Sequence, residues 1–154
     1  MNLTENFSLH EMTKSETALR LDIDNTPGEQ EVANLTLLCE RVLQPVRDHF
    51  GKGVKVNSAF RHPDTNRAVG GSTTSDHCKG QAADIEIPGV PNAELAEWIK
   101  DNLEFRQLIL EYYQIGVPDS GWVHVSYKQD DLKKQVLTAT KQDGKTVYLP
   151  GLVA

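Results

Sequence analysis

The chain has 154 residues, of which 38% are hydrophobic and 25% are charged, and its formal net charge at neutral pH is -6. This length and composition predict one soluble domain over residues 1–154, large enough to fold without disulfides. Lysine and arginine form no basic run, which argues against nucleic acid as a partner, and no apolar stretch approaches the roughly 20 residues of a membrane span.

The opening segment, MNLTENFSLHEM, has neither the basic nor the apolar part of a secretory signal peptide. We therefore expect the protein to be made and first held in the cytoplasm, and not to insert into a membrane. The two cysteines, Cys39 and Cys78, fit neither a disulfide framework nor a C-x-x-C pair. Both are expected to be reduced thiols.

Two capping-box patterns predict helices near the start of the chain. Ser8 and Glu11 form the first S-x-x-E pattern, which predicts a short helix. Thr26 and Glu29 form the second, with Pro27 at the expected first helical position.

The helix predicted after the second box carries one apolar stripe. Its apolar residues recur at spacings of three and four, as on one face of a helix, at Val32, Leu35, Leu38, Val42 and Val46. Pro45 lies inside this stripe and is expected to bend or break the last turn, because proline has no backbone N–H to donate.

The remainder of the chain predicts mainly strands. A short strand-like run ends near Phe60. Residues 62–80 predict mostly a loop, because Gly, Ser, Thr and Asn dominate there, with one helical turn after Pro63. The further predicted elements are strands at 82–87, 108–113 and 122–127, a helix at 92–101, and a hairpin of 133–140 with 146–149 that turns near Asp143-Gly144. Helices first and antiparallel strands later predict an α+β domain.

Two segments carry residue types suited to metal chemistry. The run SDHCKGQAAD places His77 at the end of the loop and Asp84 inside the following strand. In the strand GWVHVS, alternation places His124 on the face opposite its two neighbouring valines. Two imidazoles and one carboxylate give three ligands with an open fourth position, the arrangement of catalytic zinc. The spacing alone leaves open that all three are structural polar residues.

The motif S-x-H-x-x-G-x-A-x-D, from Ser75 to Asp84, with W-V-H downstream, resembles the M15 family of zinc D-Ala-D-Ala carboxypeptidases and related phage endolysins. The hedgehog signalling domain shares the metal-site fold of that family. The segments FSLHEMTKSETA, LQPVR and VNSAFR resemble its phage-type branch. The resemblance implies helices packed on a central antiparallel sheet, and Zn²⁺ held by His77, Asp84 and His124.

The resemblance also implies roles for Arg61 and Ser75, while strand position and residue type suggest roles for Trp122 and Gly80. Arg61 matches the arginine that binds a carboxylate or carbonyl oxygen of the substrate, a task that suits the guanidinium fork, although a surface ion pair is the simpler alternative. Ser75 is expected to bind substrate or to support the loop. Trp122 is expected to form a wall of the cleft or part of the core, and Gly80 to allow a sharp turn between two ligands.

The general base has two candidates. A carboxylate must accept a proton from the attacking water and pass it to the leaving amine. Glu111 ends an apolar strand shortly before the last ligand, as a glutamate does in the hedgehog domain. Several family members instead carry an acidic residue three positions before the final histidine, where this chain has Gly121. The alternative base is Asp119, two residues further upstream.

The resemblance therefore predicts a monomeric zinc metallopeptidase that hydrolyses a D-Ala-D-Ala or L-Ala-D-Glu bond in peptidoglycan stem peptides. Its phage-type features predict an endolysin that acts on the cell wall after release from the host cytoplasm. The alternatives are a virion-associated wall peptidase, a peptidase of small dipeptides, and a non-catalytic zinc-containing binding module of the same fold. A carboxylate base beside the metal would favour the enzymes over the binding module.

Overall fold

The structure is a computed structural model that describes residues 1–153. Its strands are β1 (Asn2–Thr4), β2 (Phe7–Ser8), β3 (Lys55–Ser58), β4 (Ala82–Glu86), β5 (Gln107–Glu111), β6 (Trp122–Ser126), β7 (Gln135–Gln142) and β8 (Lys145–Pro150). Its α-helices are α1 (Leu9–Thr13), α2 (Glu16–Arg20), α3 (Glu29–Leu38), α4 (Gln44–Phe50), α5 (Pro63–Ala68) and α6 (Asn92–Asn102). A π-helical turn (Cys39–Leu43) joins α3 to α4, and a 3₁₀ turn (Asp76–Lys79) precedes β4.

Six strands form the main sheet, in the order β3-β4-β6-β5-β7-β8, while β1 and β2 pair separately. The neighbouring strands are antiparallel except for β5 and β7, which run parallel. The chain crosses from β6 to the far side of β5, so β7 runs in the direction of β5. The α+β class is confirmed, and the expected antiparallel sheet is corrected to a mixed one.

The predicted N-cap at Ser8 forms, and an unpredicted helix follows it. The hydroxyl of Ser8 accepts a hydrogen bond from the backbone N–H of Glu11 at 3.1 Å at the start of α1. Ser15 caps α2 in the same way, by accepting from the N–H of Ala18 at 3.1 Å. Each bond satisfies one of the free N–H groups of a first helical turn.

The prediction of a second capping box at Thr26 and Glu29 is wrong. Helix α3 begins at Glu29 after Gly28 and has no side-chain cap. The hydroxyl of Thr26 instead donates to Asp24 at 2.6 Å, and the backbone N–H of Thr26 bonds the same carboxylate. This local Asx-type turn competes with the helical start and moves it towards the C-terminus.

The apolar stripe of the long helical segment packs into the core, but the helix changes geometry earlier than predicted. Its members Leu35, Leu38, Val42 and Val46 are fully buried, whereas Val32 is half-buried. Pro45 lies in the first turn of α4, directly after the π-helical turn. Because Pro45 cannot donate to the carbonyl four residues earlier, the regular ladder is interrupted there, and the wider turn takes up the irregularity.

The apolar core lies on one face of the main sheet. Leu108 and Leu110 of β5, with Val123 and Val125 of β6, are fully buried in the same cluster as the long helical segment and α6. Burying each such side chain contributes roughly 1.5–3 kcal/mol. Since side chains alternate along a strand, the residues between them point to the opposite face, where the polar groups of β4, β5 and β6 lie.

The predicted C-terminal hairpin is confirmed. Asp143 and Gly144 both have positive φ, 52° and 77°, as a tight two-residue hairpin turn requires. The predicted helix at 92–101 corresponds to α6, and the helical turn predicted after Pro63 is α5. The 3₁₀ turn at Asp76–Lys79 was not predicted. Within residues 1–153, no helix combines the length and apolar character needed to cross a membrane.

Candidate metal centre

Strand register brings two of the three predicted ligands together. Asp84 of β4 lies directly opposite His124 of β6, and His124 Nδ1 is 3.0 Å from Asp84 Oδ1. His77 approaches from the 3₁₀ turn, with its Nε2 3.4 Å from Asp84 Oδ2. One ligand atom of each of these residues lies within 4.8 Å of the others, so the group could hold a metal ion.

The fold fixes the orientation of the His77 ring. Its backbone N–H donates to the hydroxyl of Ser75 at 3.2 Å, and its Nδ1 lies 2.7 Å from the carbonyl oxygen of Ala59. A carbonyl can only accept, so Nδ1 carries a proton, and Nε2 is the ring nitrogen that faces Asp84 and that a metal ion would bind. A neutral imidazole in this tautomer is the form that binds metals. Ser75 therefore supports the 3₁₀ turn that carries His77.

Gly80, which ends the 3₁₀ turn that carries His77, packs closely against α3. Its φ is +72°, and a Cβ placed on it would lie 2.6 Å from the carbonyl oxygen of Glu31. Both the left-handed backbone and the contact favour glycine. The predicted sharp turn between His77 and Asp84 is present at this residue.

The electrostatics of the group favour an ionised carboxylate. Burial by itself would raise the pKa of Asp84, but the charges and hydrogen bonds of His77 and His124 outweigh burial and hold that pKa well below its usual range. Burial would lower the pKa of His124, but its hydrogen bond to Asp84 and nearby carboxylates raise it. Two imidazoles and one ionised carboxylate form a donor set that fits a divalent transition metal.

A neighbouring ion-pair network anchors the same turn, and the sequence did not reveal it. Asp76, adjacent to His77, accepts a hydrogen bond from Arg106 at 2.5 Å, and Arg106 also donates to Asp131 at 2.9 Å. Asp76 is nearly buried. The position of Asp76 inside the motif was the available signal, but its partner is 30 residues away in the chain.

The three grouped side chains line an open cleft of about 730 Å³ that also contains Arg61, Ser75, Glu111 and Trp122. Glu111 ends β5 opposite Trp122, and the indole Nε1 of Trp122 donates to its carboxylate. Burial raises the pKa of Glu111, and the charge of Asp84 raises it further. Trp122 thus forms a wall of the cleft and holds Glu111 in place.

Arg61 presents a guanidinium to the cleft without an ion pair among residues 1–153. Its Nε is buried and bonds no acceptor in that part of the chain. The backbone N–H of Arg61 donates to the carbonyl of His77 at 3.1 Å, which links the position of Arg61 to the 3₁₀ turn. The described residues do not form the surface ion pair that was the alternative for Arg61, and Arg61 instead lines the cleft.

The alternative base, Asp119, lies elsewhere. It lines a separate pocket with Lys55, Glu86 and Pro118, and does not line the cleft of the three grouped residues. Gly121 cannot be replaced by an acidic residue without rearrangement, because its φ is +66° and a Cβ there would lie 2.0 Å from the carbonyl oxygen of Glu111. The backbone contact beside Glu111 explains the glycine at this position.

Comparison with known proteins gives one family. A family model described as Peptidase M15 matches residues 5–126, which include the three grouped residues, Arg61 and Glu111. No curated protein matches the chain at a significant level. The C-terminal hairpin of β7 and β8 lies beyond the matched residues.

Proposed function

We propose that this chain, which belongs to the peptidase M15 family, is a zinc metallopeptidase that hydrolyses a peptide bond in bacterial peptidoglycan stem peptides. One observation carries the proposal: three side chains that could hold a metal ion meet in a cleft that also contains Glu111 and Arg61. The resemblance to phage endolysins supports wall peptides as the substrate, with a D-Ala-D-Ala or an L-Ala-D-Glu bond as the target.

His77, Asp84 and His124 would hold the zinc ion. The set of two nitrogens and one oxygen leaves a fourth position open, as in catalytic rather than structural zinc sites. Zinc bound there supplies Lewis acidity that polarises a carbonyl group and acidifies water. Nδ1 of His77 keeps its proton and donates it to the Ala59 carbonyl, so Nε2 of this histidine would be the ligand atom.

In this proposal Glu111 acts as general base and then as general acid. It takes a proton from the attacking water and passes that proton to the leaving amine. Its raised pKa suits a group that must both accept and return a proton. The hydrogen bond from the indole of Trp122 restrains the Glu111 carboxylate, and both residues line the cleft.

Arg61 binds an oxygen of the substrate in this proposal. Arg61 lines the cleft and forms no ion pair among residues 1–153, so its guanidinium would pair with a substrate carboxylate or carbonyl. A guanidinium can form two parallel hydrogen bonds to a planar carboxylate, which orients the bond to be cut.

The test is hydrolysis of purified peptidoglycan by the wild type, by Glu111→Gln and by the matched control Glu104→Gln, which changes an exposed glutamate outside the cleft. Zinc content is measured in parallel, and the released ends are identified by mass spectrometry. We expect Glu111→Gln to keep its zinc and lose activity by at least about 100-fold, and the control to match the wild type. If the wild type holds zinc and cuts nothing, the peptidase proposal fails and the alternative of a non-catalytic binding module takes its place.

We further propose that the protein acts on the wall as a phage endolysin, on the strength of its phage-type sequence segments. Purified protein added to cells with permeabilised outer membranes should then clear the suspension, and Glu111→Gln should not. Activity on small free dipeptides with none on intact wall would contradict this role.

A further inference from the structure

Strand β8 brings an aromatic side chain into line with the groups of the cleft. The register pairs Trp122 with Glu111, Glu111 with Ala139, and Ala139 with Tyr148. Residues directly opposite each other in neighbouring strands point to the same face of a sheet. Trp122, Glu111 and Tyr148 therefore lie in one row on the cleft face.

Tyr148 is 54% exposed although it is a large aromatic residue, and it lines the cleft together with Glu111 and Tyr112. The small side chain of Ala139 separates it from Glu111 in the row. Two strand spacings separate Tyr148 from Glu111, which is about 10 Å. Roughly three residues of extended peptide span that distance.

The hairpin that carries Tyr148 is fixed to the rest of the sheet. The hydroxyl groups of Tyr112 and Thr146 are 2.7 Å apart. The hydroxyl of Thr138 donates to the carbonyl of Gly151 at 2.7 Å and accepts from the N–H of Val153 at 2.9 Å. An aromatic ring held in advance at the edge of a cleft binds a ligand at low entropic cost.

We propose that Tyr148 forms a substrate subsite whose ring packs against the stem peptide two to three residues from the bond that is cut. The inference rests on the proposed function and adds a residue outside the region matched by the family model. The occupant is an extended segment of the stem peptide, because it must be continuous with the peptide at Glu111 and must lie across an exposed aromatic ring. Burial and the charge of Glu111 raise the pKa of the Tyr148 hydroxyl, so the phenol stays neutral.

The test measures binding of a synthetic stem pentapeptide to zinc-loaded protein by calorimetry, in a Glu111→Gln background that prevents turnover. Tyr148→Ala should weaken binding about tenfold, equivalent to about 1.4 kcal/mol. Tyr148→Phe, which keeps the ring, should stay within about twofold of the parent, since ring packing carries the contact. The control Ile115→Ala removes a residue that is 77% exposed and does not line the cleft, and it should bind like the parent.

Two further readouts separate binding from structural damage and from the proposed reaction. Zinc content and melting temperature should be unchanged in Tyr148→Ala, and with Glu111 restored its KM should rise while kcat holds. Unchanged pentapeptide binding, an effect on intact peptidoglycan alone, or no binding by the parent would overturn the subsite. If the wild type cleaves and Tyr148→Ala equals it, the subsite fails alone. If the parent binds through Tyr148 but the wild type never cleaves, the reaction fails alone.

Discussion

Replacing Arg106 with methionine should destabilise the protein, because this change leaves the carboxylate of Asp76 without its partner. Asp76 keeps only 9% of its side-chain surface exposed, while Arg106 keeps 27% and Asp131 keeps 34%. Methionine retains much of the apolar stem of arginine and removes the guanidinium. The effect should therefore report the ion pair rather than lost packing.

The magnitude follows from the exposure of the two partners. Breaking a fully buried ion pair costs roughly 3–5 kcal/mol, because an uncompensated charge remains. Water reaches one side of Arg106, so we expect a smaller loss of about 2–3 kcal/mol in the free energy of unfolding. The bond to Asp131 joins more exposed groups, so Asp131→Asn should cost less than about 1 kcal/mol.

Urea unfolding of the metal-free variants measures these differences. With a slope near 2 kcal/mol/M, Arg106→Met should lower the midpoint by about 1–1.5 M, and Asp131→Asn by less than about 0.5 M. The double variant Arg106→Met with Asp76→Asn should recover part of the loss, since no buried charge is left. Zinc affinity of Arg106→Met should fall about 10–100-fold, because Asp76 positions the turn that carries His77.

A midpoint shift for Arg106→Met no larger than that for Asp131→Asn would refute the reasoning. The reasoning would also be refuted if the double variant were less stable than Arg106→Met alone. Either result would mean that Asp76 finds adequate solvation without the guanidinium.

Three further predictions rest on single contacts. Gly80→Ala should lower the free energy of unfolding by about 3 kcal/mol, because it adds a backbone clash to a left-handed φ. The control Gly116→Ala, also at positive φ but with open space around it, should cost about 1 kcal/mol in the same urea assay. Burial raises the pKa of the Cys39 thiol to about 12. A thiol reagent at pH 8 should therefore leave Cys39 unlabelled in folded protein and label it after unfolding, as measured by mass spectrometry. Labelling of the folded state would contradict its burial. Burial raises the pKa of Glu111, and the indole hydrogen bond partly opposes this by lowering it. Trp122→Phe should therefore raise that pKa further and move the acidic limb of the kcat/KM profile to higher pH. An unmoved limb would exclude Glu111 as the group that titrates there.

Short-range patterns in the sequence determined much of the fold and directed attention to the cleft. The cap at Ser8 and the turn at Asp143-Gly144 form as predicted, because each depends on backbone contacts within a few residues. Alternation in β6 correctly separated His124 from the valines that enter the core. The motif named three residues that the structure brings within 4.8 Å of one another.

Tertiary structure alone decided the features that depend on contacts between distant parts of the chain. The parallel pairing of β5 with β7 follows from which edge of β5 the chain reaches after β6, and no local pattern encodes that choice. The same register places Tyr148 in the row of Glu111, and the fold of the turn supplies Arg106 as the partner of Asp76. Strand register and buried ion pairs are fixed by the packing of the whole domain, so residues far apart in sequence meet only once the core has formed.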